Sequence, residues 1–393
     1  MEGRRYMLEK VIIKNFRSFR EETTIDFSKT NNTILPRNVA ENDILKGTIF
    51  VGANASGKSN IIEAIKVLLD LLFLERNINQ SMFRCLFSQE TKYSLDYYFK
   101  IDDDKVRYKF EVDDEDDTLY ELLEVNHGKM MERSRRNAIS YIIDSKGIVY
   151  DENDIDDETL FLRTLYFNTK FAGNEILKDW MFFLNHSVYI NLFRREMNSY
   201  GKESLKLDDY LKEVGTDKVN HFFKKYNFEQ FIEYGSESHS KNFFIKNMNN
   251  KKMIFFRRKG LDIPIPFDEE SMGNQNLLYI LPAFLQVVEK GGLLLVDEFS
   301  SGFHNNLESF LIRLFMEHSE NGQMIFVSHS TNLLSNSILR ADQEYSVEFY
   351  GEKGSIVKRF SEENPRSAQN IERMYMSGVF GGIPHFKEER DAD

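Results

Sequence analysis

GTIFVGANASGKSNIIEAIKVLLDLLF, residues 47–73, decides the fold. Its opening, Gly47–Gly52, is a short β-branched apolar run ending in glycine, the pattern of a buried strand. From Lys58 onward apolar residues recur at helical spacing, so Thr48–Leu74 reads strand, glycine loop, helix. The loop Gly52-Ala53-Asn54-Ala55-Ser56-Gly57-Lys58-Ser59 matches G-x-x-x-x-G-K-[ST]. Glycines let the backbone wrap round a phosphate, so that successive N–H groups point inward. Lys58 supplies a point charge for the β- and γ-phosphates, and the Ser59 hydroxyl offers a Mg²⁺ position. A helix opening near Lys58 adds the positive end of its dipole. ATP and Mg²⁺ are the cofactors this loop predicts.

Two apolar strands further along carry complementary groups. Leu293-Leu-Leu-Val-Asp297-Glu298 delivers two acids to the carboxyl edge of a parallel sheet, where ligands bind. Phosphoryl transfer needs positioning and charge neutralisation; Asp297 suits the Mg²⁺ shell, and Glu298 suits orienting or deprotonating the attacking water. Met324-Ile-Phe-Val327 ends in Ser328-His329-Ser330. Ahead of the acids, Glu269-Glu270-Ser271-Met272-Gly273-Asn274-Gln275 opens the helical pattern NLLYILPAFLQVVEK.

Outside these motifs the chain reads in three parts. In residues 1–158, Leu8–Phe27 alternates as two strands, and Tyr93–Val112 reads as antiparallel strands turning at Asp102–Asp104. The acidic runs Asp113–Asp117 and Asp151–Glu158 read as solvated loops. Residues 159–235 carry Phe, Leu, Lys and Glu at helical spacing without proline and read as a helical insertion. Its aromatics (Phe171, Trp180, Phe182, Phe183, Phe222, Phe223) suit either partner contacts or a core of its own. Residues 236–393 resume strands, with a turn expected at Asn249-Asn250, and then alternate helix and strand, the mark of a parallel sheet covered by helices.

Composition bounds the function. The 393 residues hold 51 Lys+Arg against 63 Asp+Glu, a net charge of −12 that argues against a histone-like coat on nucleic acid. Local basic clusters at Arg133–Arg136, Lys251-Lys252 and Arg257–Lys259 still leave DNA possible as a partner. Cys85 is the one cysteine, so no internal disulfide forms. No apolar run is long enough to span a bilayer, and charges run through MEGRRYMLEKVIIKNF where a signal peptide needs apolar residues. A cytoplasmic protein without a membrane partner is expected.

The loop's Asn54-Ala55-Ser56, with Asn60 after the serine, resembles the G-x-N-x-[SA]-G-K-S variant of ATP-binding-cassette ATPases, in the RecF-like and SMC-like branch that lacks a transporter. In order, the phosphate loop, S-x-G-x-Q, LLLVDE and FVSHS resemble soluble bacterial AAA family ATPases of cassette type, relatives of RecF, SMC heads and overcoming-lysogenization-defect proteins. KVIIKNFRSF near the start, Leu339–Gln343 and Met376–Pro384 look like theirs too. The resemblance implies an α/β fold: an ABC-type P-loop ATPase head with a mixed, largely parallel sheet flanked by helices, an N-terminal antiparallel β lobe and a helical insertion. It implies Walker A at residues 52–60, Walker B at Asp297-Glu298 and a catalytic switch role for His329. Ser271, Gly273 and Gln275 would bind nucleotide held by an opposite subunit, although the family's usual leucine before the serine is Glu270 here. Gln89, before the strand KYSLDYYF, is the candidate Mg²⁺-sensing glutamine.

The resemblance further implies a homodimer or higher homo-oligomer. Many such proteins belong to abortive-infection or other anti-phage systems, beside a separate toxin or nuclease effector. No heptad coiled coil separates the halves, and since no segment here resembles the Toprim nuclease of the overcoming-lysogenization group, a nuclease partner is expected as a separate polypeptide. Three functions compete: a sensor ATPase of antiviral defence, a RecF-like repair ATPase that binds DNA, and an ATP-binding scaffold with very slow turnover.

Overall fold

The computed structural model describes residues 5–74, 83–116, 118–142, 151–156, 158–246, 249 and 251–383. The chain opens with β1 (Tyr6–Lys14), β2 (Thr23–Asp26), β3 (Gly47–Val51) and α1 (Lys58–Phe73). Next come β4 (Lys92–Ile101), β5 (Asp104–Asp113), β6 (Thr118–Val125), β7 (Gly128–Ser134), β8 (Asn137–Ser140) and β9 (Asp151–Asn153). With β1 and β2 they form an antiparallel sheet ordered β2-β1-β4-β5-β6-β7-β8-β9. Period-two patterning explains it: β5 alternates Val106, Tyr108 and Phe110 inward with Arg107 and Lys109 outward.

The middle of the chain forms α2 (Phe161–Thr169), α3 (Glu175–Asn185), β10 (Val188–Asn191), β11 (Glu196–Ser199), α4 (Leu207–Glu213), α5 (Asp217–Lys225) and β12 (Gln230–Gly235). Small strands β13 (Glu237–His239), β14 (Phe244–Lys246), β15 (Met253–Arg258) and β16 (Ile265–Pro266) precede α6 (Met272–Lys290). Then β17 (Gly292–Asp297), α7 (Asn305–His318), β18 (Gly322–Val327), β19 (Glu344–Phe349), β20 (Ser355–Arg359) and α8 (Ile371–Met376) complete the described fold.

The second large sheet runs β11-β10-β17-β18-β3-β19-β20. Its five inner strands pair in parallel, and the edge strands β11 and β20 pair antiparallel. Every residue of β3, β17 and β18 is buried, as parallel strands covered on both faces require. Alternate residues feed two cores. Phe50, Leu293, Leu295, Ile325 and Val327 meet α1 and the antiparallel sheet, whereas Ile49, Leu294, Val296 and Phe326 meet α6 and α7. Each such side chain contributes about 1.5–3 kcal/mol of transfer free energy.

Residues 159–235 depart from a wholly helical stretch. They hold α2, α3, α4 and α5, but β10 also enters the central sheet, parallel to β17 with Val188 opposite Leu294. Nor do its aromatics form a separate surface or core. Phe171, Trp180 and Phe183 join the first core, Phe222 and Phe223 the second, and Phe182 alone of the six is exposed, at 48%. A four-residue strand buried throughout offers no period-two signal to set it apart from helix. After β18 the expected helix is replaced by two 3₁₀ turns, Thr331–Leu333 and Ala341–Gln343. There Arg340, buried and paired with Asp342 at 2.8 Å, donates to the carbonyls of Asn32 and Ile34, clasping the long N-terminal loop. Asn249 lies in a turn; Asn250 and Asp117 lie outside the described residues.

Candidate active site

Strands β10, β17, β18 and β3 run parallel in the central sheet, so the residues that follow them gather at one edge. There a cleft of about 800 Å³ is lined by residues 54–60, Glu298, His329 and Phe193. The loop after β3 curls tightly, with Ala55 at φ 60° and Gly57 at φ 105°, and leads straight into α1. Lys58 Nζ donates to the carbonyl oxygens of Gly52 (2.9 Å) and Ala53 (2.7 Å), so the loop wraps its own ammonium. Burial lowers the Lys58 pKa, while Glu298 and Asp297 pull it back up. Asn60 Nδ2 donates to Ser18 Oγ at 2.7 Å, and Ser355 Oγ donates to the Ser56 carbonyl at 2.6 Å. Thus Ser18, from the NFRSF phrase, and Ser355 brace the loop from below.

Asp297 ends β17, 7% exposed. Its Oδ1 accepts from Ser59 Oγ at 3.0 Å and its Oδ2 from Asn191 Nδ2 at 3.2 Å. Burial raises its pKa, and the Ser59 hydrogen bond opposes the rise. A serine hydroxyl and a carboxylate in contact are hard oxygen donors of the kind Mg²⁺ takes, so these two residues fit that ion. Glu298 occupies the left-handed region at φ 58°, a strained conformation of the sort that clusters at functional sites. Its Oε1 lies 3.7 Å from His329 Nε2, and that histidine holds the Glu298 pKa below the ordinary glutamate range. The backbone N–H of His329 donates to Ser300 Oγ at 3.2 Å.

Asn191 was not singled out by sequence. A signal existed: Val188-Tyr-Ile-Asn191 is an apolar run closed by a polar residue, as are LLLVD and MIFVSH. The turn after it is anchored at both ends. Asn191 Oδ1 accepts from the Arg194 N–H at 2.8 Å, the Arg195 guanidinium donates to Gln275 Oε1, and Tyr279 OH donates to the Arg195 carbonyl at 2.7 Å. Phe193, 76% exposed, projects from this turn at the lip of the cleft.

The remaining expected residues stand elsewhere. Ser271 caps α6 by accepting from the Asn274 N–H at 3.4 Å. Gly273 packs on loop 300–304, where a Cβ would come within 2.6 Å of the Gly302 carbonyl oxygen. Gln275 is buried and donates to the Phe267 (2.7 Å) and Glu270 (2.9 Å) carbonyls, bracing the start of α6. Ser271, Gly273 and Gln275 do not line the cleft. Gln89 is exposed in the segment before β4 and does not line it either.

The basic clusters are largely spent on ion pairs. Arg133 is fully buried against Glu121, and Arg136 pairs with Asp154 at 2.8 Å. Arg257 pairs with Glu233, Arg258 with Glu270 and Lys259 with Glu229. Among the described residues no helix is long and apolar enough to cross a membrane.

A family model described as "AAA domain, putative AbiEii toxin, Type IV TA system" matches residues 48–335. No curated protein sequence matches the chain. Among solved structures, the fold is similar to an SMC head bound to the C-terminal winged-helix domain of ScpA, at TM-score 0.52 and 16% identity, covering 91% of this chain and 99% of that one. It is also similar to an SMC head with an extended coiled coil, bound to the C-terminal domain of ScpA derived from Pyrococcus furiosus. That match has TM-score 0.50 and 14% identity, and covers 91% and 98% of the two chains. At such identities the likeness concerns fold: a mixed α/β head of the SMC, ABC-type class.

Proposed function

The chain belongs to the AAA-domain family described by the AbiEii toxin and Type IV toxin–antitoxin systems, and from that premise we propose that it binds Mg²⁺-ATP and hydrolyses it as a nucleotide-gated homodimer. One observation carries the reading. The phosphate loop, Asp297, Glu298 and His329, far apart in sequence, converge on one cleft, with Ser59 and Asp297 in hydrogen-bond contact. The inward N–H groups of the loop and Lys58 would hold the phosphates. Ser59 and Asp297 would hold Mg²⁺, which when bound neutralises charge on the phosphate oxygens. Glu298, at the cleft beside His329, would accept a proton as a water oxygen bonds to the γ-phosphorus and the bond to the β,γ-bridging oxygen breaks. ADP and phosphate leave. Asn191 and Ser59 keep the Asp297 carboxylate oriented.

The dimer is supported by what the cleft lacks. Ser271 is exposed and Gly273 half-buried at the α6 start, outside their own cleft, so a second copy would supply both head to tail. ATP then favours the closed pair and hydrolysis loosens it. We further propose a sensor ATPase of antiviral defence that controls a separate toxin or nuclease, a reading prompted by the toxin–antitoxin system named in the family description. A RecF-like DNA-repair role loses support because most of the candidate basic residues are already paired.

The test mixes two inactive chains, Lys58→Ala and Ser271→Arg. A mixed dimer has one doubly defective site and one intact site, so ATPase activity should partly return. Mixtures that stay dead while heterodimers demonstrably form would overturn the composite site. Unchanged ATP affinity of Lys58→Ala in calorimetry would overturn the phosphate-loop assignment.

A further inference from the structure

The C-terminal phrase ending at Ile383 plays no part in the chemistry above, yet it touches both walls of the catalytic edge. α8 begins one hydrogen bond from the switch loop: Thr331 Oγ1, two residues after His329, donates to Glu372 Oε1 at 2.7 Å. From α8 the chain turns back along β19. Ser346 Oγ donates to the Phe380 carbonyl at 2.5 Å, the Gly382 N–H donates to Glu348 Oε2 at 3.0 Å, and Tyr375 OH donates to the Gly382 carbonyl at 3.2 Å. The Phe380 ring stacks on Phe360 with centroids 3.9 Å apart and planes within 6°.

At its far end the segment reaches the phosphate loop. Gly382, at φ 78°, is buried so closely that a Cβ would lie 3.1 Å from Ser346 Cβ and 3.5 Å from Gly52 Cα. Gly52, the first residue of the phosphate loop, is itself pressed on β19: a Cβ there would come within 2.2 Å of the Val347 carbonyl oxygen. Strap, β19 and phosphate loop therefore meet backbone to backbone.

We infer that residues 371–383 form a positioning strap that sets the switch-histidine loop and the phosphate loop in one frame, with Glu372 and Gly382 as its two points of attachment. The inference rests on the ATPase reading, but its two ends act on different steps. The Thr331–Glu372 tie bears on where His329 stands beside Glu298, and so on chemistry. The Gly382 contact bears on the shape of the loop that receives phosphate, and so on binding. A segment serving stability alone would not separate the two.

The experiment measures Mg²⁺-ATP turnover, and ATPγS affinity by calorimetry, on the full chain. Glu372→Ala should lower kcat about tenfold, the scale of a small misplacement, with ATPγS affinity within about twofold of the parent. Glu372→Gln, which keeps a carbonyl to accept from Thr331, should restore the rate. Thr331→Val should repeat the Glu372→Ala result, and it serves if that variant folds poorly. Gly382→Ala should weaken ATPγS binding by about tenfold, since φ 78° strains any side chain there and the added Cβ presses on Ser346, shifting backbone that lies against Gly52. A kcat within twofold of the parent in both Glu372→Ala and Thr331→Val overturns the strap. So does a Glu372→Gln variant as slow as Glu372→Ala, or unchanged ATPγS affinity in Gly382→Ala. Absence of turnover in the parent counts against the ATPase reading instead, and the Gly382 affinity arm then decides the strap alone.

Discussion

The edge of the central sheet carries a contiguous, strongly patterned motif and the first turn of α6 a looser one, and only the first lines the cleft. At the sheet edge, residues 54–60, Asn191, Asp297, Glu298 and His329 come from four separate strand ends and meet within hydrogen-bond or ion-pair range. At α6, Ser271 and Met272 point to solvent, while Gln275 turns inward to the carbonyls of Phe267 and Glu270. Parallel strand order forces the first convergence. Among the described residues nothing brings the second region onto the cleft, although the turn holding Arg195 ties the two through Gln275. On the proposed reading, one region does the chemistry and the other is presented to a second copy.

The largest expected effect breaks or keeps that contrast. Glu298→Gln preserves shape and cannot take a proton, so turnover should fall by roughly 10²–10⁴-fold while ATP affinity holds. Ser271→Arg should leave affinity equally intact, and its loss of turnover should be rescuable by a partner chain, which that of Glu298→Gln is not at its own site. Stopped-flow turnover with parallel calorimetry checks both. If Ser271→Arg lowers ATP affinity in the isolated monomer, the α6 start belongs to its own cleft and the contrast fails.

A smaller effect sets the residue that orients Asp297 against the glutamine expected to sense Mg²⁺. Asn191→Ala removes a hydrogen bond to Asp297 Oδ2 and should lower kcat by about tenfold through misplaced carboxylate geometry. Gln89→Ala, at an exposed position outside the cleft, should stay within about twofold of the parent. The reverse ranking in steady-state assays would return the metal-sensing role to Gln89.

That pair also marks how far the sequence could be read. The phosphate loop was legible because all its chemistry is contiguous, from Gly52 to Asn60, between an obvious strand and an obvious helix. Asp297 and His329 were legible because long buried strands announce their own ends. Asn191 was not, because its role exists only through β10 lying beside β17, a pairing more than a hundred residues apart in register (Asn191 opposite Asp297). The same pairing explains why residues 159–235 read as an insertion: α2, α3, α4 and α5 surround a strand too short to show its period. Charge patterns misled for a related reason. Arg133, Arg257 and Arg258 look like a basic surface until Glu121, Glu233 and Glu270 arrive from elsewhere in the chain.

The smallest effect sets the front of the switch loop against its back. Glu298 faces the cleft and has its pKa lowered by His329; Glu308, on α7, lies behind, 1% exposed, and has its pKa raised by burial. Glu308 Oε1 accepts from Ser330 Oγ at 3.0 Å, and its Oε2 has no hydrogen-bond partner among the described residues. The sign of its contribution follows from linkage. A carboxyl whose folded pKa is raised holds its proton in the native state after the unfolded chain has released it. Stability therefore falls as pH climbs from the ordinary glutamate value towards the raised one, and stays reduced above it. Glu308→Gln keeps an acceptor for Ser330 and removes the charge, so it removes that penalty. Its Tm should equal or slightly exceed the parent's at neutral pH, with the difference vanishing below the ordinary glutamate pKa, and its turnover should stay near the parental rate. Thermal melts across pH check this. A Glu308→Gln variant that is less stable than the parent at neutral pH, or as slow as Glu298→Gln, would mean that Glu308 is ionised and working, and that the switch loop is catalytic on both faces.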